Sequence, residues 1–224
     1  MSLKKAGLLI ILILIVDQVS KIYIKTNFML GEQVKVFEWF RILFVENEGM
    51  AWGAKIPGDN GKLFLTVFRL VAIVGIGYWL WDSARKKATR MLIVSISLIF
   101  AGALGNIIDS VFYGVLFNDS HSQIASFLPE DGGYGSLLHG KVVDMLYFPL
   151  WQGYLPEWIP GWGGKYFTFF EPVFNIADSS ITIGFLLMIL FNKSVFADDK
   201  QKKEEKPRES MFEKEAKIDR SGQA

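Results

Sequence analysis

The sequence predicts an all-α membrane protein: a four-transmembrane-helix bundle with a small extracytoplasmic β-sheet or cradle and a long interfacial loop. Hydrophobic residues make up 51% of the 224-residue chain, more than a typical soluble domain contains. Four apolar stretches approach the roughly 20 residues that a helix needs to cross the hydrocarbon core of a bilayer. Charged residues still make up 21% of the chain, so the protein is not wholly buried in lipid.

The four predicted spans cover residues 6–24, 63–81, 91–109 and 174–191. The first span has the charge pattern of a signal peptide, because Lys4 and Lys5 precede it. No small-x-small cleavage site follows it, however, and the chain continues into Asp17 and Lys21. We therefore expect this segment to be a retained transmembrane helix.

Basic residues near the span ends predict the orientation of the bundle. Lys4 and Lys5 precede the first span, a basic link at residues 85–90 joins the second to the third, and a lysine-rich tail follows the fourth. By the positive-inside rule these three segments face the cytoplasm, so both termini are expected there. The outer segments, at about 25–62 and 110–173, then face outward.

The end of the chain differs in composition from the rest. Residues 193–224 form a dense run of mixed charge that cannot bury a core, which predicts a disordered cytoplasmic tail. Residues 1–192 are then one membrane domain.

The two outer segments carry different patterns. Residues 33–45 come close to alternating apolar and polar side chains, which predicts short strands in a hairpin or small sheet at the membrane surface. The second outer segment is rich in Gly, Pro and Trp, which favours a long interfacial loop, with a lid or mobile insert as alternatives.

Several chemistries are excluded by what the chain lacks. It has no cysteine, and its two histidines, His121 and His139, show no metal-ligand spacing. Neither a Gly-x-Ser-x-Gly elbow nor a phosphate-binding loop occurs. We expect no cofactor, no metal and no nucleic-acid partner.

Polar residues inside or beside the apolar segments are the candidate site, because charge at membrane depth is costly and usually functional. Three pairs share a helix face by their spacing, and one acid stands alone: Asp17 with Lys21, Asn106 with Asp109, Asn175 with Asp178, and Asp144. A structural interpretation remains open for each. Asp17 and Lys21 suit a neutralised pair in which the lysine reaches the interface. Asp144 is expected in the outer connection or in a half-inserted segment.

Five motifs in chain order resemble the lipoprotein signal peptidase (signal peptidase II) family. They are Asp17-Gln18-Val19-Ser20-Lys21, Asn47-Glu48-Gly49-Met50-Ala51-Trp52-Gly53, Gly105-Asn106-Ile107-Ile108-Asp109, Val142-Val143-Asp144-Met145 and Phe174-Asn175-Ile176-Ala177-Asp178-Ser179. The chain departs from the family pattern at Met50 and Trp52. It also has Ser110 where an arginine is common, and an insertion of roughly 25 residues between Asp109 and Asp144.

The resemblance implies an intramembrane aspartic endopeptidase that removes the signal peptide from diacylglyceryl-modified prolipoproteins, before the lipidated cysteine. It implies Asp144 and Asp178 as the catalytic pair. The supporting or substrate-binding positions it implies are Asp17, Lys21, Asn47, Gly49, Asn106, Asp109 and Asn175. It further implies a bacterial inner-membrane protein, with its active site at the outer face, that acts on prolipoproteins among membrane lipids; we expect a monomer.

Two other functions remain open from the residues alone. A small proton-coupled transporter would use the same acids as a relay. A structural membrane scaffold would leave the cost of burying Asp178 unexplained.

Overall fold

The computed structural model describes residues 1–48 and 61–195. Three helices in this part of the chain are long and apolar enough to cross a membrane: α1 (Leu3–Asn27), α2 (Gly61–Arg85), and α3 (Arg90–Ile108) with the short turns that continue it to Leu116. They confirm the first three predicted spans. Large apolar side chains such as Leu12 and Val74 cover their outer faces, as expected for helices surrounded by lipid.

The fourth predicted span is shorter than expected. Helix α5 (Ile176–Leu190) has 15 residues, and a helix of that length rises about 22 Å, less than the roughly 30 Å of a hydrocarbon core. The prediction of a helix from residue 174 was wrong because Val173 and Phe174 belong to a strand and Asn175 caps the helix. Beyond α5, a single turn, α6 (Asn192–Val195), packs its Val195 against the core of the bundle.

Small residues bring α3 and α5 into close contact, as the sequence predicted. A Cβ on Gly102 would lie 2.2 Å from the carbonyl oxygen of Ala177, and one on Gly105 would lie 2.7 Å from a carboxylate oxygen of Asp17. Gly184 of α5 allows the same approach further along, against Ser95. The backbones of these two helices therefore approach as closely as glycine permits.

Four strands form an antiparallel sheet beside the end of the bundle where α5 begins. They are β1 (Gln33–Phe37), β2 (Phe40–Asn47), β3 (Val142–Tyr147) and β6 (Val173–Phe174), in the order β1-β2-β3-β6. The β1–β2 hairpin confirms the strands predicted from alternation. The register of β2 and β3 sets Val45 opposite Asp144 and Asn47 opposite Val142.

The second outer segment contains more regular structure than the predicted interfacial loop. It supplies β3 and β6 to the sheet, and a separate hairpin of β4 (Trp151–Tyr154) and β5 (Tyr166–Phe169). Composition missed these strands because they are short and separated by Gly- and Pro-rich turns. Asp144 accordingly lies on a central strand of the sheet and not in a half-inserted segment.

The inserted segment packs behind β3. Helix α3 continues as a π-helix (Asp109–Tyr113) and a final turn, α4 (Gly114–Leu116). Tyr113 and Phe117 are buried against Val143 and Met145, which lie on the face of β3 opposite to Asp144. The insertion thus supports the back of the strand whose front carries the candidate acid.

Two predictions fall outside the described residues. Gly49 lies there, as do residues 196–224 of the predicted tail. Both stay predictions.

Candidate active site

Asp178 lies in the first turn of α5, where a capping box fixes its position. The side chain of Asn175 accepts a hydrogen bond from the backbone N–H of Asp178 at 2.9 Å, and the backbone N–H of Asn175 donates to the Asp178 carboxylate at 3.3 Å. The positive end of the helix dipole at this terminus favours a carboxylate in its charged form. The local sequence thus determines both the start of α5 and the orientation of its acid.

Asp144 reaches the same point from β3. It is 2% exposed, and its carboxylate accepts from the side-chain amide of Asn175 at 2.7 Å and from that of Asn47 at 3.2 Å. Burial and the charge of Asp178 together raise the pKa of Asp144 to about 7. Asn175 therefore connects the two candidate catalytic acids, although 34 residues separate them in the sequence.

Asn106 of α3 connects Asp178 to a buried lysine. Its amide donates to Asp178 at 2.7 Å, while its carbonyl oxygen accepts from Lys21 at 2.9 Å and from Asn175 at 3.1 Å. Three of the four hydrogen-bonding capacities of this side chain are thus used within the site.

Lys21 lies at the centre of a fully buried charge cluster. Its ammonium contacts carboxylate oxygens of Asp17 at 2.9 Å and of Asp109 at 2.8 Å, in addition to Asn106. The predicted Asp17–Lys21 pair is therefore present, but the lysine does not reach the interface: it is completely buried and points into the bundle. It does so because three acceptors together satisfy its three donors there.

The two acids beside Lys21 hold the backbones that carry Asp178 and Asp144. The second oxygen of Asp17 accepts from the backbone N–H of Ala177 at 2.9 Å, one residue before Asp178. Asp109 accepts from the backbone N–H of Val143 at 3.3 Å, one residue before Asp144. Asp109 is thus a buried anchor for β3, not simply an acid at the end of a helix.

Sequence reasoning missed Gln18, which completes this cluster. Its side-chain amide donates to Asp109 at 2.9 Å and to Asp17 at 3.1 Å, and its oxygen accepts from the Tyr113 hydroxyl at 3.2 Å. A glutamine within an apolar span was the signal available in the sequence.

A second buried cluster, also missed, lies next to Asn47. Lys25 is fully buried and pairs with Glu46, whose carboxylate also accepts from Ser120 at 3.2 Å and from Lys141 at 3.1 Å. The rings of Phe44, Phe117 and Tyr134 surround the Lys25 ammonium at 4.9 to 5.8 Å. This Lys25–Glu46 cluster joins α1, β2 and the insertion.

Ser110 stands where the resemblance leads one to expect an arginine, and its side chain bonds to the backbone of the helix that precedes it. Its hydroxyl donates to the backbone carbonyl oxygen of Asn106 at 2.9 Å, one turn earlier along the chain. Arg69 of α2 instead lies near enough to Asp178 for an electrostatic attraction. Of the predicted site residues, the structure gathers all except Gly49, which lies outside its described part, at one end of the bundle.

Fold and site together define a membrane protein in which two carboxylates, each bound by an asparagine amide, lie where the helices meet a small sheet. The chain belongs to the signal peptidase II family: the family model described as signal peptidase (SPase) II matches residues 9–193.

Curated relatives and solved structures agree with this assignment. The chain is 51% identical to the lipoprotein signal peptidase of Porphyromonas gingivalis, over 84% of this chain and 82% of the relative. It is 35% identical to that of Amoebophilus asiaticus, over 87% and 80% of the two chains. A bacterial membrane enzyme solved by the in meso method at 2.3 Å resolution superposes with a TM-score of 0.57, at 27% identity, over 86% of this chain and 90% of the other.

Proposed function

We propose that this protein is an aspartic endopeptidase that removes the signal peptide from diacylglyceryl-modified prolipoproteins, cleaving just before the lipidated cysteine. Membership of the signal peptidase II family supports the substrate class. The observation that carries the aspartic mechanism is the contact of Asn175 with both Asp144 and Asp178.

The two acids lie in different surroundings. Asp178 receives a hydrogen bond from Asn106 and lies at the N-terminus of α5, both of which stabilise a negative charge. Asp144 is more deeply buried and has a pKa raised to about 7, by burial first and by the charge of Asp178 second. Near pH 7 a substantial fraction of Asp144 therefore carries the proton that the mechanism needs.

Peptide hydrolysis by such a pair needs no further catalytic group. The Asp178 carboxylate takes a proton from a water molecule as that water attacks the scissile carbonyl carbon. Asp144 donates its proton to the carbonyl oxygen, so the tetrahedral intermediate is neutral at this oxygen. The proton held by Asp178 then passes to the departing amide nitrogen as the C–N bond breaks. One hydroxyl proton of the intermediate returns to Asp144, which leaves the carboxylic acid product and restores the starting protonation of the pair.

The site suits a substrate that enters from the membrane. It lies where α1, α3 and α5 meet the sheet, so a signal helix in lipid can place its end beside the carboxylates. The proposal includes α5 as a fourth, short span, a monomeric enzyme in the bacterial inner membrane with both termini in the cytoplasm, and the site at the outer face.

A proton-coupled transporter, the alternative left open by the residues, is not favoured. The acids lie together at one end of the bundle, whereas a relay needs polar groups across the bilayer. Family membership also supports the peptidase.

The decisive experiment is cleavage of a diacylglyceryl prolipoprotein by the purified full-length protein. Asp144→Asn and Asp178→Asn should each lower the rate about a thousandfold, because each removes one half of the acid–base pair. Asp119→Asn, which alters an exposed acid paired with His121, should cleave like the wild type.

Full activity of Asp144→Asn or of Asp178→Asn would show that the substituted residue has no part in the mechanism. Ion flux through liposomes that contain the wild-type protein, without cleavage, would support the transporter instead.

A further inference from the structure

Six aromatic side chains form a continuous strip along the sheet: Phe37, Trp39, Phe40, Phe148, Phe170 and Phe174. Phe148 stacks on Phe174 with ring centroids 5.6 Å apart and on Phe40 at 4.8 Å. Trp39 stacks on Phe148 at 6.0 Å and on Phe37 at 5.4 Å, while Phe170 contacts Phe174 edge to face at 6.1 Å. The strip crosses from β6 over the end of β3 to the tip of the β1–β2 hairpin.

The strip lies on the face of the sheet that carries Asp144. Leu146 follows Asp144 by two residues on β3, so both side chains point to the same face. Leu146 pairs with Phe174 on β6 and with Ile42 on β2, which places those side chains on this face too. Because Phe148 stacks on Phe174, the strip continues the surface on which the candidate acid stands.

One end of the strip adjoins Asn175 in the chain, and the other end is open. Phe174 directly precedes Asn175, the residue that contacts both carboxylates. At the far end Phe37 is 55% exposed and Trp39 is 51% exposed. An uncovered apolar track that begins at a hydrolytic site fits an apolar part of the substrate that is attached close to the bond being cut.

The proposed function supplies such a group. In a diacylglyceryl prolipoprotein the acyl chains are attached to the cysteine immediately after the scissile bond. They therefore branch from the substrate close to the two carboxylates. We propose that the aromatic strip is the binding subsite for an acyl chain of the substrate. This inference rests on the proposed function and names the part of the substrate that the sheet recognises.

A chain-length experiment tests the subsite. The purified full-length protein, in one detergent, would be given two prolipoprotein substrates that differ in their acyl groups, one with palmitoyl chains and one with butanoyl chains. Phe148→Ser should raise KM for the palmitoyl substrate roughly tenfold, because an apolar contact of the long chain is lost. KM for the butanoyl substrate and kcat for both should stay near the wild-type values.

Two control variants separate binding from folding. Phe148→Leu keeps an apolar side chain at the centre of the strip and should retain the wild-type preference for palmitoyl chains. Trp158→Ser alters a side chain that is 80% exposed on the loop between β4 and β5, away from the strip, and should leave both KM values unchanged. Equal changes of KM for the two substrates, or no change for either, would overturn the subsite.

Photo-crosslinking provides a second measurement that needs no turnover. In the Asp178→Asn variant, a palmitoyl substrate with a diazirine on its chain should label peptides containing residues 37–40 or 148. Labelling confined to the lipid-facing helices would instead mean that the chain stays in the bilayer, and would refute the inference.

The two proposals fail differently. If the wild type cleaves neither substrate, the proposed function is lost and the subsite with it. If the wild type cleaves both but Phe148→Ser leaves the chain-length preference intact, only the subsite is lost.

Discussion

Lys21 shows how a full charge is accommodated inside this bundle. A buried ammonium without partners would be very costly, but here two carboxylates and one amide oxygen contact it. The same two carboxylates bind the backbone next to Asp178 and next to Asp144. The cluster therefore does more than neutralise charge, because it places the strand and the helix that carry the two candidate catalytic acids.

Asp144 leads to a prediction for the dependence of activity on pH. Its pKa is raised to about 7, and its protonated form is the one that donates to the substrate in the proposed mechanism. Cleavage should therefore fall as the pH rises through about 7, approaching a tenfold loss per pH unit. The kcat measured across this range, with substrate and detergent constant, checks the expectation. An activity that stays flat to pH 9 would show that Asp144 does not supply the proton.

The same group should affect stability. The pKa of Asp144 is higher in the folded than in the unfolded protein. Between about pH 4 and 7 its side chain is therefore protonated in the folded protein and ionised in the unfolded protein. Its contribution to the free energy of unfolding is thus lost as the pH rises across this window. Asp144→Asn, which cannot ionise, should have a Tm above that of the wild type at pH 8, with the gap closing near pH 4.

Among the elements, helices α3 and α5 pack with very little space between their backbones. The two helices meet through Gly102, Gly105 and Gly184, so the N-terminus of α5 lies directly over the Asp17–Lys21 pair. Position 102 shows how close this contact is.

Gly102→Ala should lower the free energy of unfolding by about 1–3 kcal/mol, because its Cβ would lie 2.2 Å from a backbone oxygen of α5. Gly75→Ala is the matched control: it lies in α2 with nothing within 4 Å of the added Cβ, so alanine should stabilise the helix slightly. Thermal unfolding in detergent measures both. A stable Gly102→Ala variant would mean that the helices can separate without cost.

The Lys25–Glu46 cluster supports a second prediction for the elements. Glu46→Ala leaves a fully buried lysine without its carboxylate, at a cost of about 3–5 kcal/mol. The exposed pair of Lys35 and Glu38 offers the comparison, since Glu38→Ala removes a charge that solvent already screens and should leave the Tm almost unchanged. Equal effects of the two substitutions on Tm would show that burial does not strengthen this ion pair.

On the scale of the whole molecule, the charge distribution and the site position together predict the orientation in the membrane. The basic link between α2 and α3 lies at the opposite end of the bundle from the sheet, because α3 runs from that link to the site. The positive-inside rule assigns the link to the cytoplasm, so the sheet should face outward.

A cysteine-free chain makes this orientation simple to measure. In intact spheroplasts a membrane-impermeant maleimide should label Glu38→Cys, whose native side chain is 82% exposed, and should not label Lys86→Cys. After permeabilisation both variants should react. The reverse pattern would invert the proposed topology.

Much of the fold was predictable because its signals are local. Three spans follow from runs of apolar residues, and the β1–β2 hairpin follows from alternation. The shortened fourth helix and the strands of the second outer segment were not predictable in this way. Asn175 ends a strand and caps a helix at once, and β6 has two residues, too few to form a pattern.

By itself the sequence determined the membrane class, the basic side of the bundle and the set of polar residues from which a site can be built, since composition and periodicity record what each segment buries. Only the tertiary structure decided which contacts those polar residues make with one another. It turned Lys21 inward to two carboxylates and set Asn175 between Asp144 and Asp178. It also aligned six aromatic rings, from residues 37–40, 148, 170 and 174, along the sheet. These contacts depend on strand register and helix packing between distant parts of the chain, which no local pattern encodes.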